Sequence, residues 1–326
     1  MSDPLVSVII PVWNAAGFIE ETVRSVLRQT FTDYELIIVN DGSPDTVELE
    51  AVLLPYRGSL KYLRERHKGA AAARNAALRV ARGSYIAFLD ADDSWLATYL
   101  DQQIAFLKAH PDVDLVYADA RLTGDSPLAG RTFMETAPSR GPVTLKSLLS
   151  LRCHVIASGV VVKRAVVLDV GMFDESIARG HDFDLWIRIA RRGARLAYQR
   201  RVLLSRHIHS SNLSGNAISE CERALAELRR IEGSMPLAPD ERAALTSSVA
   251  WLTARREREL GKECLRHGDF AGAGAAVRRA CEADPSLKLR AIALALRLVP
   301  SWLYRIDRVR QMRARPAHRL GRTAPV

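Results

Sequence analysis

The sequence predicts an α/β protein: a mostly parallel sheet with helices on both faces, followed by a C-terminal helical extension. Two observations carry this. In the first ninety residues, short apolar runs rich in β-branched residues alternate three times with stretches of helical periodicity. Strand–helix–strand in succession builds a parallel, right-handed sheet covered on both sides. After about residue 217 the strand signals vanish and amphipathic helical patterns remain.

The elements follow in order. Val6–Ile10 is a short apolar run, expected as a strand buried on both faces. Ile19, Val23, Val26 and Leu27 lie at helical spacing. Leu36–Val39 is a second buried strand, stopped by the turn residues Asn40-Asp41-Gly42-Ser43. A helix over Thr46–Leu54 and a strand over Leu60–Leu63 come next, then an alanine-rich helix, Gly69–Arg82. Tyr85–Leu89 is the fourth strand, stopped by Asp90-Ala91-Asp92-Asp93. Beyond it the pattern predicts a helix over Leu96–Ala109, strands at Leu115–Ala118 and Val160–Val162, a helix over Asp182–Arg192 and a strand at Arg195–Tyr198. Residues 123–142, rich in Gly, Pro, Ser and Thr, read as a long loop. The expected domains are 1–217 for the sheet, 218–286 for the helical extension and 287–326 for a basic tail. Within the extension, Arg266–Pro285 resembles one helical-hairpin repeat, but one copy is too few for a solenoid, and a plain helical extension is the favoured reading.

Composition excludes several classes. With 326 residues, 48% hydrophobic and 26% charged, the chain is an ordinary globular protein. No apolar run approaches the ~18 residues of a membrane span, and the N-terminus has no basic region of the secretory kind. The cysteines Cys153, Cys221, Cys264 and Cys281 are scattered without CxxC spacing, as expected of a reducing compartment. The net charge of +10 sits almost wholly in the last forty residues, which hold ten Lys/Arg and one acid. Any argument about anionic partners therefore concerns the tail.

In open parallel sheets, ligands bind at the carboxyl ends of the strands. The loops there carry Pro11-Val12-Trp13-Asn14, Asn40–Ser43 and Asp90–Asp93. No G-x-G-x-x-G and no P-loop follows a strand, which argues against a dehydrogenase-type dinucleotide site. Asp90, Asp92 and Asp93 are candidates to hold a hard divalent cation. The plain alternative is a turn in which Asp93 or Ser94 caps a helix starting near Trp95. Asp41 either belongs to an ordinary turn or accepts hydrogen bonds from a nucleobase or ribose. Arg74 and Asn75 are either a solvated helix face or, through the guanidinium, a contact to base or diphosphate. Asp182 either caps its helix or serves as a general base.

Together, Val6–Asn14 (VSVIIPVWN), Glu35–Ser43 (ELIIVNDGS), Gly69–Asn75 (GAAAARN), Ile86–Asp93 (IAFLDADD) and Gly171–Glu175 (GMFDE) resemble the family 2 glycosyltransferases, whose GT-A fold is a Rossmann-like sheet. The resemblance covers roughly residues 4–215. It implies inverting transfer of a sugar from a nucleotide-activated donor to an acceptor hydroxyl. On this reading Pro11, Trp13 and Asp41 line the nucleoside pocket, Arg74 assists there or at the diphosphate, and Asp90 faces the ribose or sugar. Asp92 holds Mg²⁺ or Mn²⁺, His209 is a further metal or phosphate contact, and Asp182 is the catalytic base. His181 stands where the family usually has glutamate. The absence of a Q-x-x-R-W motif and of membrane spans implies a non-processive enzyme, expected in cell-surface polysaccharide, lipopolysaccharide or glycolipid assembly.

The rival readings are a nucleotidyltransferase on the same kind of sheet and a non-catalytic scaffold. Pro11–Gly17 has no Lys or Arg for a phosphate loop, against the first, and retention of Asp41, Asp92 and Asp182 argues against the second. The expected partners are a nucleotide-sugar donor and a glycan or lipid-linked acceptor, with no nucleic acid. Residues 287–315 mix arginines with Leu, Ile, Trp302 and Tyr304, as in a segment lying on an anionic membrane surface. A helix packed on the body with a solvated arginine face fits that composition equally. The expected location is the cytoplasm, at the inner face of the membrane where the tail docks.

Overall fold

A computed structural model describes residues 3–209, 217–284 and 287–298. They fall into two compact units: 3–209 with 227–245, and 217–226 with 246–284 and 287–298. The tail beyond Leu298, with Pro300 and most of its arginines, lies outside the described residues.

The first unit runs β1 (Val6–Val12), α1 (Ile19–Leu27), β2 (Tyr34–Asp41), α2 (Thr46–Leu53), β3 (Lys61–Glu65), α3 (Ala70–Val80) and β4 (Tyr85–Phe88). It continues through β5 (Ser94–Trp95), α4 (Tyr99–Ala109), β6 (Leu115–Gly124), α5 (Phe133–Thr136), α6 (Leu145–Leu149), β7 (Val160–Lys163), α7 (Arg164–Asp169), α8 (His181–Arg191) and β8 (Leu196–Ile208). The strands form one sheet in the order β3-β2-β1-β4-β7-β6-β8-β5. β1 to β4 pair in parallel, β7 runs antiparallel to β4 and β6, β8 is parallel to β6, and β5 is antiparallel to β8. The sheet is thus mixed but mostly parallel in direction.

Burial follows the strand alternation. Val6, Val8, Ile10 and Val12 of β1 pack in one core with Ile19, Val23 and Val26 of α1, Leu49 and Leu53 of α2, and Ile104 and Leu107 of α4. Ile9 and Ile37 are equally buried but point to the other face. There Phe88 of β4 meets Trp186 of α8, with ring centroids 6.3 Å apart. Both faces are covered, so the strands read as unbroken apolar runs.

Beyond the longer β6 and the short helices α5, α6 and α7, two further stretches differ from the sequence expectation. No helix begins at Trp95: Ser94–Trp95 pairs with β8 as a short edge strand, and α4 starts at Tyr99. β8 is thirteen residues long where four were expected. Its polar stretch Gln199-Arg200-Arg201 hides the continuation, and its ladder with β6 shifts register around Asp119.

The chain goes on through α9 (Ala217–Ser234), α10 (Pro239–Arg266), α11 (Phe270–Ala283) and α12 (Leu287–Leu298). In the second unit α11 closes against α10 at small residues: a Cβ on Gly261 would lie 3.3 Å from Val277. Asp269 caps α11 by accepting the Gly272 N–H at 2.8 Å. No helix among the described residues is long and apolar enough to cross a membrane.

Candidate active site

The ends of β1, β2 and β4, the N-terminus of α8 and the end of β8 carry the residues singled out in the sequence. Pro11 is the penultimate residue of β1, in register with Val39. Trp13 follows that strand with half its surface exposed. It stacks on His67, centroids 5.1 Å apart and planes inclined by 27°.

Asp41 ends β2 and is buried. Its carboxylate accepts the backbone N–H groups of Lys68 and Gly69, each at 2.9 Å, and the His67 Nδ1–H at 2.9 Å. It therefore shapes the turn that leads into α3. Gly42 makes the close approach possible: its φ is +62°, and a Cβ there would sit 2.6 Å from the His67 nitrogen.

Arg74, on α3, is buried rather than on a solvated face. Its Nη1 donates to His181 Nε2 and its Nη2 to Asp90 Oδ1, both at 2.5 Å. Burial first, and then the Arg74 cation, push the His181 imidazole down to about 4, against the pull of Asp182, Asp90 and Asp184. His181 is thus neutral at physiological pH and serves as an acceptor. The neighbouring Asn75 is a latch. Its Nδ2 donates to the Phe173 carbonyl and to Glu175, and its Oδ1 accepts the Phe173 N–H.

The loop after β4 is held from below by the Thr22 hydroxyl, 2.8 Å from the carbonyl oxygens of both Ala91 and Asp93. Asp93 is buried and accepts the His207 N–H at 3.0 Å, which ties this loop to the end of β8. It caps no helix. Burial, then the charges of Asp90 and Asp92, push its carboxyl up to about 8. Asp92 lies 3.0 Å from His209 Nε2, across 117 residues of sequence. Its carboxyl is held above the ordinary range by burial and then by Asp90, with the His209 bond opposing. His209 stacks on Phe18 at 4.6 Å.

Asp182 lies in the first turn of α8, half-buried, and accepts the Phe183 N–H at 2.9 Å. It is not the cap: that position is Gly180, at φ +77°. The left-handed backbone at Gly180 favours glycine, and a Cβ there would displace the Glu227 side chain of α9. Asp184, two residues on in the same turn and buried, accepts from Arg188 and Arg230. Two hydrogen bonds, Asp90–Arg74 and Arg74–His181, join the β4 loop to the residue beside Asp182.

Among the described residues no group of three His, Cys, Asp or Glu side chains forms a closed metal cage. The Asp92–His209 pair nonetheless suits a divalent cation. Magnesium-like ions are commonly bound through one or two protein ligands, with substrate phosphates completing the shell. The crowded negative charge at Asp90, Asp92 and Asp93 is what such a cation would relieve.

The residues missed in the sequence are His67, Phe18 and Ser158, whose Oγ accepts the Asp90 N–H at 3.1 Å. Each works through a partner distant in the chain. Only the segment His67-Lys68-Gly69 ahead of the quoted motif could have drawn attention to the first.

A model of "Glycosyl transferase family 2" matches residues 7–167. The chain is 30% identical to an uncharacterized glycosyltransferase, RP339, of Rickettsia prowazekii over 67% of its own length and 69% of the relative's. It is also 30% identical to WfgD of Escherichia coli, described as a UDP-Glc:alpha-D-GlcNAc-diphosphoundecaprenol beta-1,3-glucosyltransferase, over 68% of this chain and 85% of that one. Some longer Rickettsia relatives are spanned over only 40% of their length. Among solved structures, the mannosyltransferase PcManGT from Pyrobaculum calidifontis, in complex with GDP-Man and Mn²⁺, superposes with a TM-score of 0.64 at 22% identity, covering 96% of this chain and 86% of that one. The fold is of the GT-A type. This chain belongs to glycosyltransferase family 2.

Proposed function

We propose that the protein is an inverting, metal-dependent glycosyltransferase that moves one sugar from a nucleoside-diphosphate donor to the hydroxyl of a lipid-linked or glycan acceptor. What supports this reading is the pair of hydrogen bonds from Arg74 to Asp90 and to His181, which joins the loop of Asp92 to the residue before Asp182. Trp13 and the Asp41 turn border the nucleoside, and Pro11 shapes the exit of β1 toward it. Asp90, half-exposed beside the buried Arg74, faces the ribose or sugar.

Asp92 and His209 would hold Mg²⁺ or Mn²⁺, which, when bound, offsets charge growing on the departing diphosphate. Asp182 accepts the proton of the acceptor hydroxyl as that oxygen forms its bond to the anomeric carbon. The bond from that carbon to the phosphate oxygen breaks, and the nucleoside diphosphate leaves with the electron pair. Attack comes from the face opposite the leaving group, so one base suffices and the anomeric configuration inverts. His181, kept neutral, leaves the Arg74 cation less compensated than a carboxylate at that position would, which favours an anionic donor nearby.

The name of WfgD points to a diphospholipid acceptor, and we extend that class to this enzyme, acting at the cytoplasmic face of a membrane. The sheet domain, the helical extension and the basic tail would divide the labour between donor chemistry and membrane docking. The test is transfer from UDP-, GDP- and dTDP-sugars to a diphospholipid acceptor with Mn²⁺, the product's anomeric configuration being read by NMR. An inverted product supports the proposal. A retained configuration, or transfer unaffected by chelation, overturns the corresponding part. Liposome sedimentation of the full chain, and of one ending near residue 286, tests docking: equal binding by both removes the tail's role.

A further inference from the structure

The helix that carries Asp182 is held in two ways. Leu185, Trp186 and Ile189 of α8 are buried, and Trp186 meets Phe88 of β4. Apolar contact of this kind is non-directional: it sets how deep a helix lies, not which way it points. Direction comes from His181, Asp184 and Arg188, which stand at i, i+3 and i+7 on one face. His181 accepts from Arg74 of α3 at 2.5 Å. Arg188 donates three times: Nε to Asp184 at 2.8 Å, Nη1 to the Val170 carbonyl at 2.5 Å and Nη2 to the Met172 carbonyl at 2.7 Å. It thereby fills acceptors at the end of α7 that a helix terminus leaves open. The buried Asp184 accepts Arg230 of α9 on its other oxygen at 2.9 Å.

Phe173 follows Met172, and its N–H and carbonyl are both held by Asn75, the neighbour of Arg74 on α3. α8 is therefore tied to α3 twice. One tie is direct, at His181; the other runs from Arg188 through Met172 and Phe173 to Asn75. Seven residues of helix span about 10 Å, so two ties fix an orientation where one would leave a pivot. Little else holds the segment between them: from Val170 to Gly180 only Phe173 and Ile177 are buried. Met172 has φ +61°, a strained conformation that persists where its surroundings impose it. Arg192, four residues on from Arg188, offers a contrast. It pairs with Asp169 at 2.7 Å, both side chains exposed, and such surface pairs contribute little.

We infer that Arg188 is a positioning residue for the base: its guanidinium locks the segment before α8 to the body of that helix and so sets the direction of the Asp182 carboxylate. The assignment rests on the reading of Asp182 as the base. Productive geometry tolerates about 10–20°. A helix free to pivot at His181 loses turnover while the donor still binds.

The experiment compares the wild type with Arg188→Lys, Arg188→Met and, as a control, Arg192→Lys. Lysine keeps the charge toward Asp184 but cannot span two carbonyls, and it decides the question alone if the methionine variant does not fold. Transfer from UDP-, GDP- and dTDP-sugars to the diphospholipid acceptor is measured with Mn²⁺, at a temperature where circular dichroism shows each protein folded. Calorimetry gives the affinity for UDP, GDP and dTDP with Mn²⁺, and hydrogen exchange follows residues 170–182. Both Arg188 variants should lose about 10–100-fold in kcat, keep donor KM and nucleotide affinity within about twofold, and exchange faster in 170–182. Arg192→Lys should match the wild type. Unchanged kcat, unchanged exchange in 170–182, or kcat and nucleotide affinity falling together overturns the positioning role. A wild type that transfers from none of the three donors overturns the transferase reading, and this assignment with it.

Discussion

At the end of β2 a buried carboxylate is met by two backbone N–H groups and an imidazole. At the end of β4 three carboxylates crowd within four residues, and burial together with their mutual charge drives Asp92 and Asp93 toward the protonated form. The same residue type, at corresponding ends of the two parallel strands that flank β1, is satisfied in one place and frustrated in the other. A satisfied carboxylate builds a turn. A frustrated cluster stores unfavourable energy that a cation and its phosphate ligands would release. The difference teaches that the aspartates of one site are separable by what faces them, and that mutations on the two sides should differ in sign as well as size.

The largest effect is expected at Asp182, half-buried in the first turn of α8, whose carboxylate accepts the Phe183 N–H. Asp182→Asn should lower transfer by about 10²–10⁴-fold and leave donor affinity, measured by calorimetry, essentially unchanged. Normal turnover in this variant would remove it as the base.

Asp92→Asn tests the frustrated side directly. It keeps a side chain able to bond His209 but deletes one charge. Mn²⁺-dependent donor affinity should fall by roughly 100-fold or more, while the thermal midpoint of the metal-free protein should rise, because repulsion with Asp90 and Asp93 is relieved. A lower midpoint would mean that the cluster is not frustrated and would erase the contrast.

Asp41→Ala should do the reverse. It leaves the Lys68 and Gly69 N–H groups without their acceptor, at a cost of about 1–3 kcal/mol in stability. Denaturant unfolding without metal measures this. A variant as stable as the wild type would show that the turn holds itself.

The two sides also differed in how far the sequence revealed them. β1 to β4 and their crossovers were legible because strands buried on both faces read as unbroken apolar runs. β5 and most of β8 were not, since Ser94–Trp95 is too short to show a period and Gln199–Arg201 is polar. The candidate aspartates could be found at strand ends, but their environments could not. Asp93 caps no helix because His207, 114 residues on, supplies its N–H partner. Arg74 is no surface residue because His181, 107 residues away, takes one end of its guanidinium. The packing of His67 depends on the Trp13 ring, contributed by another strand end. Local pattern specifies elements, and long-range pairing specifies chemistry.

The smallest effect joins the two sides through His181. Its imidazole is faced by Arg74 of α3, by Asp90 of the β4 loop and by Asp182 and Asp184 of its own helix, and it sits at about 4 instead of 6.5. Folding therefore favours the neutral ring. Above the unfolded value the group imposes no penalty; as pH falls below 6.5 the unfolded chain takes up a proton that the folded chain refuses, and stability drops until about pH 4, where the folded ring also protonates. Between about pH 8 and about pH 5.5 the wild type should lose on the order of 1 kcal/mol more than His181→Gln, whose side chain does not titrate. Urea unfolding of both proteins across that range reads the difference. Parallel curves would mean that the folded ring is already charged, and a charged imidazole cannot accept from Arg74. The link from Asp90 through Arg74 to the helix of Asp182 would then lack its acceptor, and the placement of the base would lose its support.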